Sequence, residues 1–565
     1  MSKILNKIKW KIREFKNLSL DYKMIRIRRQ VNKIIANKNS TGPKIMFALS
    51  YNVYWPNKVH DFLLTQSLIL RGATVVPLIE GRLQEGEFGP YSGVSGGFSD
   101  DLQKNIKISQ SNVDRYLHGD YALWNYWSGL NPINLSEYLS KKEKEALRAL
   151  VNDFDILTYK NWVYEDMPVG TWIDRNVCGN ELIGEIDDPF KFERQIKNNL
   201  LNIIIMTEAI TRAIKDINPN VIFSNCSFYP PYSITEFVAK KLNIPFYNHV
   251  QGEGRKSSWH YNFNAPAFLF DTTELWKAWE NVDLTEDQSN FIKKYLKSRI
   301  SGHNMVLNTA NTGSRKSKML DIDYTKPTAL LAANTAWDAA GLVDGLQFKS
   351  MFEWLRQTVE FLKNNQQVNL IIKAHPAEIN PQLPRPRQMT EDEVMRAGPL
   401  TPNITFLGPT TKFSIYELFS FIKVGLVFNS TAGLEMACNG IPVITSGVSP
   451  YYNKGFTFDP KTQDEYFLKI VDLLNKGVFL SEKNEIISKA QKLFYLYHFV
   501  HSFKLDWFDF TLSSGLKLQV SSAKELLPGR NMALDYVCDT ILNKMPIFSK
   551  TRSPNFEVKN FEKYL

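Results

Sequence analysis

The residues best suited to chemistry stand in Asn429-Ser430-Thr431-Ala432-Gly433-Leu434-Glu435. The apolar run from Val424 to Phe428 leads in, and a helical pattern leads out to Cys438, ended by Asn439-Gly440. That is a strand giving way to a helix. Unpaired backbone N–H groups at a helix start attract an anion. Ser430 and Thr431 add hydroxyl donors, and Ala432 and Gly433 leave room for a phosphate to come close. Glu435, read as a first-turn acid, is expected to accept from ribose hydroxyls. The bland alternative is a capped helix with a carboxylate that suits its dipole.

Three other clusters sit where strands should end, the edge at which open α/β sheets bind ligands. Lys373-Ala374-His375-Pro376 closes the apolar run that begins at Asn369. A histidine there can donate to a phosphate, and Lys373, two residues earlier, points to the same side of its strand. Gln251-Gly252-Glu253-Gly254-Arg255 follows the stretch Ile244 to His249. Glu253, between glycines, is a candidate general base for a hydroxyl, and Arg255 a partner for an acidic group; a turn with a surface acid is the alternative. Asn334-Thr335-Ala336-Trp337-Asp338 follows Thr328 to Ala333. Trp337 is placed to stack on a base or to fill an interface, with Asn334 and Asp338 beside it.

The elements that must carry these clusters repeat. Lys44–Leu49, a helical pattern from His60 to Arg71 closed by Gly72, and Thr74–Ile79 make a strand-helix-strand unit. After a Gly/Ser-rich stretch at 84–100 and a helical insertion over 101–215, the pattern resumes at Val221–Ser224 and Ile244–His249. It restarts beyond a polar linker, Asn304–Tyr324, with strands at 328–333, 369–374, 404–407, 424–428 and 442–445. The expected fold is α/β: a basic arm over 1–42, a Rossmann-like domain over 43–310, a second over 325–460, and a helical segment over 461–565. The two sheets would face a central crevice.

Composition narrows the setting. Residues 1–40 hold twelve Lys/Arg against Glu14 and Asp21, which accounts for the whole net charge of +10 and leaves the rest neutral. Ile4, Leu5, Ile8, Trp10, Ile12 and Phe15 stand among them at roughly helical spacing, so the arm is expected to lie on an anionic membrane surface or to pack on the body. No nucleic-acid-binding motif accompanies the charge. No signal peptide and no membrane span are read, and Cys178, Cys226, Cys438 and Cys538 are too scattered for a zinc knot or a disulfide framework. A reducing cytosol fits, with the inner face of the plasma membrane as the arm's target. No metal site and no cofactor are expected; the acidic pairs Asp100-Asp101 and Asp187-Asp188 read as solvated turns.

The order Glu253-Gly-Arg255, Asn334-x-x-Trp337-Asp338, Lys373-x-His375-Pro376 and Asn429-Ser-Thr-x-Gly433-x-Glu435, then Gly440-x-Pro442-Val-Ile444, resembles the bacterial capsule polysaccharide synthesis family. The resemblance covers roughly residues 220–460. It implies a GT-B-like fold and transfer of a sugar, Kdo-like, from a nucleotide donor, usually CMP-linked, to a polysaccharide or lipid-linked glycan. It also implies that His375, Ser430 and Thr431 bind the nucleotide phosphate and that Glu253 is the base. Two rivals are a UDP-sugar 2-epimerase of the same shape and a non-catalytic assembly or export protein. The epimerase reading lacks the paired acids expected after the phosphate loop, since Met436 follows Glu435.

Overall fold

A computed structural model describes residues 2–37, 40–49, 55–85, 120–252, 256–265, 271–299, 320–380, 383, 385–411, 413–511 and 515–548. Glu253, Gly254 and Arg255, the stretch 86–119 and most of the linker, 300–319, lie outside the described residues.

Thirteen strands form two sheets among the described residues. In the first domain β1 (Lys44–Ala48), β2 (Thr74–Ile79), β3 (Ile133–Asn134), β4 (Val221–Asn225) and β5 (Phe246–Gln251) run parallel in the order β3-β2-β1-β4-β5. β6 (Lys256–Phe263) then turns back antiparallel to β5. In the second domain β7 (Thr328–Ala332), β8 (Asn369–Lys373), β9 (Ile404–Leu407), β10 (Val424–Val427) and β11 (Val443–Thr445) are all parallel, in the order β9-β8-β7-β10-β11. Numbered within each domain, both orders are 3-2-1-4-5. The chain reverses direction across the sheet between the first and fourth strands, and that leaves a crevice at their carboxyl ends. The architecture is α/β with two Rossmann-like domains.

The strand sequences explain the layering. Every residue of β7, β8 and β10 is buried, as in sheets covered on both faces. Alternate residues feed opposite layers. Ile45 and Phe47 of β1 pack with Val59, Phe62 and Leu63 of the helix Trp55–Leu70. Met46 and Ala48 pack with the helix Glu193–Ile217.

The segment 461–565 is not helical throughout. It supplies the helices Gln463–Lys476, Leu480–Tyr495 and Met532–Leu542, and also β12 (Phe503–Thr511) and β13 (Gly515–Leu518). This antiparallel pair extends the first sheet beyond β6. The sequence carries the signal: Phe503, Leu505 and Trp507 alternate with polar residues, then Phe508 and Phe510 continue in the opposite phase. A phase flip needs an extra residue in the strand. The register to β6 shifts between Lys504 and Asp509, and Asp506 has φ 53°.

The arm is a 34-residue helix, Ser2–Ile35. Its carboxyl half packs on the body, one of the two placements expected of the arm. Met24, Ile27 and Val31, at helical spacing, are fully buried. Asp21 accepts from Trp127 Nε1 at 2.7 Å, and Gln30 Oε1 accepts from Ala523 N at 2.9 Å. Each such apolar side chain contributes about 1.5–3 kcal/mol on burial. Removing residues 1–35 is therefore expected to lower Tm by on the order of 10 °C in a thermal melt. An unchanged melt would show that the helix is no part of the core.

Candidate functional site

Three loops meet at the carboxyl edge of the second sheet. The loop after β10 brings Asn429 and Ser430 to the start of the helix Thr431–Cys438. Ser430 is extended (φ −76°, ψ 135°) and caps the helix, its Oγ accepting from Ala432 N at 3.4 Å. Asn429 N donates to Asn334 Oδ1 at 3.3 Å, which ties this loop to the one after β7 across the switch point. Thr335, next in that loop, places Oγ1 3.3 Å from His375 Nδ1. The structure thus brings Asn334, His375, Asn429 and Ser430 together as a connected set, with Thr431 exposed at the first helical position.

The protonation of His375 follows from its partners. Its Nδ1 accepts from Ala377 N at 3.1 Å and caps the short turn Pro376–Ile379, in which Pro376 occupies the first position. An accepting Nδ1 puts the ring's proton on Nε2. Burial, reinforced by Lys373, lowers its pKa to about 4, so the ring is neutral near pH 7 and has one N–H to donate. Lys373 is buried at the end of β8, with Nζ donating to Ala374 O at 2.9 Å; burial brings its pKa down to about 8.

Other expected members have different work. Glu435 lies in the second helical turn and is 3% exposed, because the helix Leu480–Tyr495 packs over Thr431–Cys438. It is not presented for ribose hydroxyls. Gly433 does not make room for a phosphate. A Cβ there would stand 2.4 Å from Tyr451 Oη, and that hydroxyl donates to Ser430 O at 2.6 Å. The glycine admits the tyrosine that holds Ser430. Gly433→Ala is expected to destabilise the domain by about 1–3 kcal/mol, read as a lower denaturation midpoint. Asp338 is exposed and caps Ala339–Gly341 through Ala339 N at 2.8 Å. Trp337 is half-buried, and its indole Nε1 is buried without a partner.

Glu253 and Arg255 fall outside the described residues. Their flanks are β5 and β6, paired antiparallel with Gln251 opposite Trp259. Beneath β5's end lies a group that the sequence reading missed. Asp61 Oδ1 is 2.9 Å from His60 Nδ1 and 3.0 Å from His249 Nε2, and His60 Nε2 is 2.7 Å from Tyr261 Oη. All four residues are buried. Among the described residues this is the one set with a metal-ligand composition, but His60 spends both ring nitrogens on hydrogen bonds to Asp61 and Tyr261, and His249 Nε2 stands close to Asp61 without hydrogen-bond geometry. Burial lowers the His60 pKa to about 3, and the imidazoles hold Asp61 below the usual carboxylate range despite its burial.

Between the domains lies a cleft of about 460 Å³, lined by Arg175, Ser227 and Ser233 from the first and by Asp344, Ser449 and Tyr452 from the second. Arg175 Nη2 reaches Asp344 Oδ1 at 2.8 Å across the domain boundary. The set around Ser430 does not line this cleft.

No family model matches the chain, and no curated protein sequence matches it. Solved structures do. KpsC, a beta Kdo 2,4 transferase from Thermosulfurimonas dismutans, is 12% identical over 55% of this chain and 87% of its own, with a TM-score of 0.33. UDP-GlcNAc 2-epimerase from Neisseria meningitidis is 10% identical over 80% of this chain and 98% of its own, at 0.22. Sucrose-phosphate synthase from Thermosynechococcus elongatus is 11% identical over 81% and 95%, at 0.26. Scores this low carry no argument about this chain; the fold stands on its strand order and register.

Proposed function

We propose that the chain is a glycosyltransferase that moves a sugar from a nucleotide donor, CMP-linked and Kdo-like, to a surface polysaccharide or glycolipid. The observation that carries this reading is the connected set Asn334–Asn429–Ser430 and Thr335–His375 at the carboxyl edge of the second sheet. Its donors are a helix start, the Ser430 and Thr431 hydroxyls, His375 Nε2–H and the Lys373 ammonium. These suit the negative charge that grows on a nucleotide phosphate as the sugar departs, in the role a divalent ion would otherwise fill. The first domain takes the acceptor, and Glu253 removes the proton of its attacking hydroxyl.

The basic arm holds the enzyme where lipid-linked acceptors are made. Among the described residues no helix is long and apolar enough to cross a membrane. Turnover of CMP-, UDP- and GDP-sugars with a lipid-linked acceptor tests the proposal. A single donor class should be consumed by the wild type, with Glu253→Ala strongly impaired. Failure of every nucleotide to bind by calorimetry would refute it.

A further inference from the structure

A second helix start faces the cleft between the domains. The helix Tyr232–Lys241 follows β4 as Thr431–Cys438 follows β10, so it is the first domain's counterpart of the Ser430 helix. No side chain caps it. Ser233, in its first turn, is 6% exposed and lines the cleft, and its hydroxyl has no partner. A buried hydroxyl without a partner is costly, and an oxygen of a bound molecule would satisfy it. Ser227, from the loop after β4, also lines the cleft; its Oγ accepts from Asn248 Nδ2 at 3.4 Å and keeps its own proton to donate. Arg175 closes the side. Its guanidinium lies 4.4 Å from the Phe228 ring centre, and its Nε is buried without a partner.

The carboxylates nearby are already engaged. Glu236 pairs with Lys240, Asp344 with Arg175, and Asp271 accepts from Thr273 N. Ser233 N is already taken by Tyr229 O at 3.1 Å; what remains unanswered is the field of the helix's positive end, one unpaired hydroxyl and a guanidinium N–H. An anion answers all three.

We infer that this corner of the cleft is an anion subsite that holds a carboxylate or phosphate ester on the acceptor sugar. The word acceptor rests on the glycosyltransferase reading; the anion subsite does not. Saturation-transfer NMR on the full chain with glucose, glucuronate and glucose 1-phosphate tests it. One or both anionic sugars should bind and glucose should not. Glucuronate alone would assign a carboxylate, and glucose 1-phosphate alone a phosphate ester. Ser233→Ala and Arg175→Gln should each weaken binding of the anionic sugars about tenfold, the worth of one charge-assisted hydrogen bond.

Equal binding of glucose would overturn the inference. So would anionic binding that survives Ser233→Ala and Arg175→Gln. Should Arg175→Gln fail to fold without its Asp344 pair, Ser233→Ala decides alone. Anionic sugars that bind to a chain with no nucleotide-sugar turnover would refute the glycosyltransferase and leave the subsite standing. Turnover without anionic binding would do the reverse.

Discussion

Asp61→Ala is expected to cost the first domain about 1–3 kcal/mol at pH 7, because it strands the buried, neutral His60 Nδ1–H without its acceptor. Asp61 Oδ1 is the oxygen that faces both His60 Nδ1 and His249 Nε2. Both rings lie in an aromatic surround, with His60 4.0 Å from Trp259 and His249 5.2 Å from Phe223 between ring centres. Water has no evident way to replace the carboxylate among those rings, so the stranded donor stays without a partner.

The pH dependence follows from the same burial. His60 titrates at about 3 in the folded chain against 6.5 when unfolded, so between those values the unfolded state binds more protons. Stability then rises with pH across that window and levels off above 6.5, with a slope of up to about 1.4 kcal/mol per unit. Asp61 acts in the same direction lower down: its contribution is present above the ordinary carboxylate value and is lost as pH falls through its depressed one. Glu274, raised by burial to about 7, opposes the His60 contribution between 4.5 and 7. The clean measurement is therefore a difference. The stability gap between wild type and His60→Asn, from urea denaturation, should be widest at pH 7 and narrow on acidification below 6.5. A gap that stays constant would mean that His60 carries its proton in the folded state.

What could be read from the residues, and what could not, divides along a physical line. Runs such as Val424-Gly-Leu-Val427 and Asn369-Leu-Ile-Ile-Lys373 announce strands buried on both faces, and the Ser430 junction announces a helix start. These are local signals, and the structure has each element where they point. The phase flip at Trp507-Phe508 was equally local, and marks a bulged strand where helix was expected. The environment of Glu435 was not local. A short helix shows which residues share a face, but not that the helix Leu480–Tyr495, well downstream, will cover that face. The meeting of His60-Asp61 with His249 depends on β4 and β5 being laid beside β1, a fact of strand order. Arg175 and Ser233 meet in the cleft for a similar reason: an insertion helix and the helix after β4 are brought together by the first domain's packing. Tyr451, which gives Gly433 its purpose, follows β11 and returns to the loop of β10 because those strands are neighbours.

His375→Ala is expected to lower kcat for sugar transfer by about 10²–10³-fold, the loss of about 2.7–4 kcal/mol typical of one donor aimed at developing charge. The donor's KM should move far less, since the helix start and the Ser430 and Thr431 hydroxyls still bind the ground-state phosphate. The titrations of His375 and of its neighbour Lys373 make the pH profile diagnostic. With its pKa lowered to about 4, the ring is already neutral at pH 6–7, and no break should appear near 6.5. Lys373 titrates at about 8, so transfer should decline above that value as the ammonium loses its proton. In Lys373→Arg the alkaline limb should disappear, because a guanidinium stays charged throughout the range. A wild-type limb near 6.5 that vanishes in His375→Ala would reverse the assignment. It would make the charged imidazolium the phosphate's partner, and the accepting geometry of Nδ1 toward Ala377 N would then have to break as the substrate binds.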